Sequence, residues 1–160
     1  MTGVLQSGAV TPGHIAQWVT DGVIQDGGGL PSNILASLRQ ANFNTTSDQP
    51  IPIPISIAAF QLTGIIITNT TLSLTTAVGG FYPASAKGGT PIVSAAQAYS
   101  ALTLSTSLLQ ATIATFGSTT RFSAANLGLI GGIPNIWFSL TTAQGAPATA
   151  DIYLLGNNLS

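Results

Sequence analysis

The alternation of apolar and polar positions separates a long strand-like part of the chain from a shorter leading part. From Ile51 to Leu159 apolar residues recur with period two in short runs such as "LTGIIITN", "TLSLTT", "ALTLST", "NIWFSLTT" and "DIYLLG". Segments rich in Gly, Pro, Asn and Ser separate these runs, and several short strands at this spacing are typical of a sandwich or barrel. The pattern predicts an all-β, jelly-roll-like β-sandwich of about eight strands over residues 50–160.

Two segments of this part allow a more specific prediction. Pro50, Pro52 and Pro54 stand at alternate positions, and proline has no N–H to donate to a central ladder. Their strand is therefore expected at a sheet edge or at the entry to the sandwich. "SAAQAYSAL", residues 94–102, fits a short helix as an alternative to a strand.

The leading part contains the signal for a β-hairpin. "HIAQWVT" and "VIQD" flank Asp21-Gly22, and Asp-Gly between two strand-compatible runs predicts a two-residue hairpin turn. We therefore expect an N-terminal hairpin arm over residues 1–29, ending in three glycines. A lone hairpin is marginal in water, so pairing with other copies or with a partner is expected to order it.

A short helix is predicted between the arm and the sandwich. In "LPSNILASLRQANF" the apolar residues Ile34, Leu35, Leu38 and Ala41 are spaced for one helical face, and Ser32 suits the N-cap. With the polar segment "NTTSDQP", this helix and its connector are expected to occupy residues 30–49.

Charge is unusually scarce. The 160 residues include three basic and four acidic side chains, 4% of the chain, against about 25% in ordinary domains. The sequence has no basic cluster for a nucleic-acid backbone and no run near the ~18 apolar residues of a membrane-spanning helix. A surface with so little charge favours association, so we expect a homo-oligomer, with no nucleic-acid partner and no membrane insertion.

No pattern of catalytic or ligand-binding residues stands out. His14 is the single histidine and there is no cysteine, so neither a metal site nor a cofactor is expected. Asp21 and Asp26 both precede glycine, as aspartates in turns commonly do. A nucleophile, base and orienting acid cannot be assigned, which indicates a protein that is not an enzyme. Two interpretations of the aromatic residues stay open, a stacking platform for glycans or core and interface anchors; these residues are Phe81, Tyr82, Tyr99 and Trp137.

The segment "SGAVTPGHIAQWVTDGVIQDGG", residues 7–28, resembles a segment near the N-termini of tailed-bacteriophage virion proteins of the tail-fibre, neck, head-fibre and decoration types. The similarity continues through "LASLRQANFNTTSDQPIPI" and, more weakly, through the β-rich remainder. It implies a non-enzymatic, usually trimeric structural protein of the virion, made in the cytoplasm of the host bacterium and attached to head, neck or tail proteins through its N-terminal arm. The expected docking residues are His14, Trp18, Asp21, Gly22 and Asp26. A receptor- or glycan-binding fibre module is the alternative.

Overall fold

The computed structural model describes residues 5–7, 14–20, 23–29, 34–104, 108–111 and 121–159, with side chains for 34–104 and 121–159. The chain divides into two compact units, Met1–Ser32 and Asn33–Ser160. The strands of the two units belong to separate sheets, and the buried core of the residues with described side chains lies in the second unit.

The first unit is a three-stranded sheet with the order β1-β3-β2. β2 and β3 pair antiparallel with Trp18 opposite Ile24, so the predicted hairpin is confirmed. Its expected turn residues, Asp21 and Gly22, lie outside the described residues. The third strand was not predicted and runs parallel to β3. The strands are β1 (Leu5–Ser7), β2 (His14–Thr20) and β3 (Val23–Gly29).

The second unit is built from two antiparallel sheets. Sheet I contains β5 (Gln49–Pro52), β7 (Val78–Tyr82), β10 (Gly128–Ile130) and β11 (Ile133–Thr142), and sheet II contains β4 (Ile34–Asn42), β6 (Ala59–Thr68), β8 (Leu108–Ala111), β9 (Arg121–Ser123) and β12 (Thr149–Asn158). In the described part of the chain a 3₁₀ turn at Ala124–Asn126 is the single helical element.

The connections between the two sheets follow jelly-roll topology. Sheet II has the order β4-β12-β6, with β8 and β9 both antiparallel to β6. In sheet I, β11 lies between β5 and β7, and residues 93–98 run beside β7 through the bridges Phe81↔Val93 and Val78↔Ala98. From β4 to β7 each strand crosses to the other sheet, as do β11 and β12. This order confirms the predicted jelly-roll-like sandwich.

The helix predicted at Ile34–Ala41 is wrong, because this segment is strand β4 at the edge of sheet II. Two register shifts against β12 explain the misleading pattern. The extra residues at these β-bulges, with Gln40 at φ 54°, interrupt the alternation, so that Ala36 and Ala41 are both buried although they stand five positions apart. A helix-like spacing of apolar residues is thus satisfied by a bulged strand. The sandwich consequently begins at Ile34 and not at residue 50.

Two smaller predictions have clear outcomes. β5, which contains Pro50 and Pro52, is the last strand in the order β10-β11-β5, so its expected edge position is confirmed. Residues 94–102, for which a helix was an alternative, form turns and the bridge to Val78. The segment packs through Tyr99, whose hydroxyl donates to the Gly79 carbonyl at 3.1 Å.

Aromatic rings fill the space between the sheets. Phe138 on β11 lies at the centre, with ring centroids 5.0 Å from Phe43, 5.1 Å from Phe81 and 6.1 Å from Tyr99. All four rings are fully buried. Ile152 and Leu154 of β12 belong to the same core and cover it from sheet II. Burial raises the pKa of Tyr99, and the nearby Tyr82 adds to the effect.

Candidate functional site

The predicted docking residues lie in the first unit. His14 and Trp18 are on β2, and Asp26 stands opposite Ala16 on β3. Asp21 and Gly22 lie outside the described residues, as do the side chains of the other three. The backbone therefore places His14, Trp18 and Asp26 in one hairpin, and their role in docking stays a prediction.

The four candidate glycan-binding aromatics do not form an exposed platform. Phe81 and Tyr99 are core residues with no exposed side chain, so the glycan interpretation is wrong for both. Tyr82 and Trp137 pair across β7 and β11 on the outer face of sheet I, but they are only 2% and 9% exposed. Stacking on a sugar requires an accessible ring face, which none of the four provides. The geometry favours the other interpretation, packing anchors.

The pair formed by Tyr82 and Trp137 is covered by neighbouring backbone. A Cβ on Gly128 would lie 3.0 Å from Trp137 Nε1, and the Gly128 N–H donates to the Pro83 carbonyl at 2.8 Å. Neither Tyr82 Oη nor Trp137 Nε1 has a hydrogen-bond partner among the described residues. Burial raises the pKa of Tyr82, and the charge of Asp48 raises it further. Trp137 of this pair packs against Gly128 at the start of β10.

A polar cluster around Asp151 joins the edge strand β4 to β12. Asp151 accepts hydrogen bonds from the Gln40 N–H and from Asn69 Nδ2, both at 2.9 Å, and its Oδ2 lies 3.4 Å from Arg39 Nε. The Arg39 guanidinium also lies 5.5 Å from the centroid of the Tyr153 ring. Burial raises the pKa of Asp151, but the hydrogen bonds from Asn69 and Gln40 and the charge of Arg39 together outweigh it and hold the pKa below its usual range. The cluster stabilises the bulge at Gln40.

A surface that sequence analysis did not single out lies at the opposite end of the sandwich from the loop 143–148. Here β6 and β11 begin and β12 ends, and the Leu159 N–H donates to the Ala59 carbonyl at 2.9 Å. Five large apolar side chains are exposed at this end, the most exposed being Ile55 at 79% and Leu129 at 60%. We call this surface the apolar end; its residues are Ile55, Leu129, Ile130, Ile133 and Leu159.

A groove of about 360 Å³ runs through the apolar end. Two backbone hydrogen bonds assemble its walls: the Ile53 N–H donates to the Pro134 carbonyl at 2.8 Å, and the Ala124 N–H donates to the Ala58 carbonyl at 2.9 Å. No lining side chain is charged. The lining residues are Ile55, Ala58, Ser123, Ala124, Ala125, Leu129, Gly132 and Pro134.

One wall of the groove is the hairpin of β10 and β11. Its two turn residues, Gly131 and Gly132, have φ values of 57° and 81°, as a tight two-residue turn requires. A Cβ added to either glycine would meet nothing within 4 Å, so the tip stands free of the other described residues. The sequence "GLIGGIP" had a signal for this surface, because Gly-Gly between apolar pairs is itself a hairpin signal.

The chain matches no family model, no curated protein and no solved structure. The interpretation of the apolar end therefore depends on its geometry. Exposed large apolar side chains that cluster on one surface mark a candidate interaction site. The described residues contain no group of three or more potential metal ligands. No helix in the same part of the chain is long and apolar enough to cross a bilayer.

Proposed function

We propose that this protein is a non-enzymatic structural component of a bacteriophage virion, an oligomeric, trimeric appendage attached to head, neck or tail through its N-terminal arm. The observation that carries the proposal is the division into two units, a small sheet followed by a jelly-roll sandwich. Jelly rolls serve as structural and binding modules in viral capsids and lectins, and the resemblance of residues 7–28 directs the proposal to the virion.

The size of the first unit supports its role as an attachment arm. The described residues of Met1–Ser32 form a sheet of three strands, and a sheet this small buries little apolar surface by itself. Strands from other copies or from a virion protein would complete its core. Repeated copies on one particle then gain strength from high effective concentration.

The scarcity of charge in the whole chain supports an assembled state. With three basic and four acidic residues, little of its surface carries the ionic groups that keep monomers apart. A surface with so few charged groups can be buried between the subunits of an assembly. The glycan-binding alternative has less support, because Tyr82 and Trp137 are covered.

Deletion of residues 1–28 tests the attachment role. We expect the shortened chain to keep the sandwich, because Asn33–Ser160 is a compact unit of its own, and to be lost from virions purified on a density gradient. Near-ultraviolet circular dichroism checks the fold, and quantitative mass spectrometry of the particles measures incorporation. The control variant Leu104→Ser changes an exposed residue of the sandwich and should be incorporated like the full chain.

Two results would contradict the proposal. Absence of the full chain from purified particles would exclude a virion component. Incorporation of the shortened chain at the level of the full chain would exclude the arm as the attachment site.

A further inference from the structure

The hairpin of β10 and β11 presents apolar side chains on both of its faces. Ile130 stands opposite Ile133, and Leu129 stands opposite Pro134. Successive residues of a strand point to opposite faces, so the two pairs lie on different sides of the hairpin. Leu129 and Pro134 line the groove. Ile130 and Ile133, exposed by 46% and 42%, form the other face near the free tip.

The groove suits an aliphatic side chain. Its lining includes three alanines and the larger aliphatic side chains of Ile55 and Leu129. A groove of about 360 Å³ has room for branched aliphatic groups from a neighbouring molecule. Its lining has one hydroxyl, that of Ser123, and no ionic group, so burial beneath an apolar partner would desolvate no charge.

We propose that the apolar end is an interface between copies of this chain, in which Ile130 and Ile133 of one copy fill the groove of the next. The inference rests on the oligomeric part of the proposed function and names its contact surface. A second copy is the occupant that best matches the groove in charge, because the chain has only seven Asp, Glu, Lys and Arg residues among 160. Partners of ordinary composition have charged surfaces that such a contact would have to desolvate.

The two-sided hairpin is compatible with a closed ring of copies. The Ile130–Ile133 face and the groove are different surfaces of one molecule, so the tip of each copy can fill the groove of the next in a head-to-tail contact. Head-to-tail contacts close into rings when the rotation allows it, and each copy then gives one tip and fills one groove. A three-membered ring satisfies both surfaces in every copy and agrees with the proposed trimer.

A disulfide experiment tests this contact directly, because the chain has no cysteine of its own. Full-length Ile130→Cys and Ala125→Cys chains are prepared separately, mixed, allowed to exchange subunits and oxidised. We expect a covalent band at twice the chain mass in the mixture, formed at least about tenfold faster than in either variant alone. A mixture of Ile130→Cys with Leu104→Cys is the matched control, since Leu104 lies beside Ser73 in a loop beyond the far end of β6.

A charge substitution provides the second measurement. Leu129 and Leu104 are exposed to similar extents, 60% and 64%, so Leu129→Asp and Leu104→Asp are a matched pair. Burial of a leucine at the interface predicts that Leu129→Asp raises the concentration at which full-chain oligomers dissociate by about tenfold or more. We expect a change below about twofold for Leu104→Asp. Circular dichroism confirms that both variants are folded.

The outcomes separate this inference from the proposed function. Equal cross-linking in the mixture and the control, or equal dissociation of the two aspartate variants, would overturn the interface even if the chain is a virion component. Specific cross-linking by a protein that never enters particles would support the interface and contradict the proposed function.

Discussion

Replacing Phe138 by alanine is expected to lower the free energy of unfolding by about 3–5 kcal/mol. Phe138 is fully buried on β11, and its ring lies within about 6 Å of three other aromatic rings, those of Phe43, Phe81 and Tyr99. Truncation would leave a cavity between the sheets that the rigid strands cannot close. Urea unfolding at a fixed protein concentration measures the effect.

Phe122→Ala is the control for this prediction. Phe122 is partly buried on β9 and stacks on Phe60 with ring centroids 5.5 Å apart. Because the Phe122 ring is partly in contact with solvent, its removal should lower the free energy of unfolding by less, on the order of 1–2 kcal/mol. Equal costs for the two variants would contradict the central position of Phe138 in the core.

Replacing Asp151 by alanine is expected to lower the free energy of unfolding by about 1–3 kcal/mol at neutral pH. The change leaves the Gln40 N–H and the Asn69 amide without their acceptor and removes the partner of Arg39. Asp48→Ala is the control, because the half-exposed Asp48 accepts its hydrogen bond from Ala86 at the surface and solvent can replace the acceptor. Urea unfolding at pH 7 compares the two losses, and equal losses would contradict the structural role of Asp151.

The same cluster predicts a pH dependence. The pKa of Asp151 is lowered in the folded chain. The Asp151 carboxylate therefore contributes its full stabilisation at pH values above the pKa of an aspartate in the unfolded chain, about 3.9. That contribution is lost as the pH falls through the lower folded pKa. We expect the difference in stability between the wild type and Asp151→Asn to shrink from pH 7 to pH 2.5. A difference that stays constant over this range would contradict the lowered pKa.

The predictable part of the fold follows from local patterns that the tertiary structure preserves. Two-residue periodicity and turn residues were enough to indicate a jelly-roll-like sandwich. Asp21-Gly22 was enough to indicate a hairpin. Pro50 and Pro52 identified an edge strand because a missing N–H has the same consequence in any sheet.

The errors arise where tertiary pairing decides the structure. Leu35, Leu38 and Ala41 are spaced as in a helix, and only the bulges against β12 make that spacing compatible with a strand. The burial of Phe81 and Tyr99 depends on contacts with Phe43 and Phe138, which are distant in sequence.

The apolar end was missed for a similar reason. Its groove brings together Ile55, Ala125 and Leu129 through the loop before β6, the 3₁₀ turn and β10. The sequence has a hairpin signal at Gly131-Gly132, but no local pattern shows that Ile55 lies beside it. Exposure of apolar residues is a property of the folded surface, which periodicity alone does not determine.

Light scattering on the purified full chain measures whether this protein, with so few charged residues, assembles with its own copies. We expect a particle of three chains, each of 16.2 kDa, that persists on dilution into the low-micromolar range. A stable particle with the mass of one chain under the same conditions would contradict this expectation.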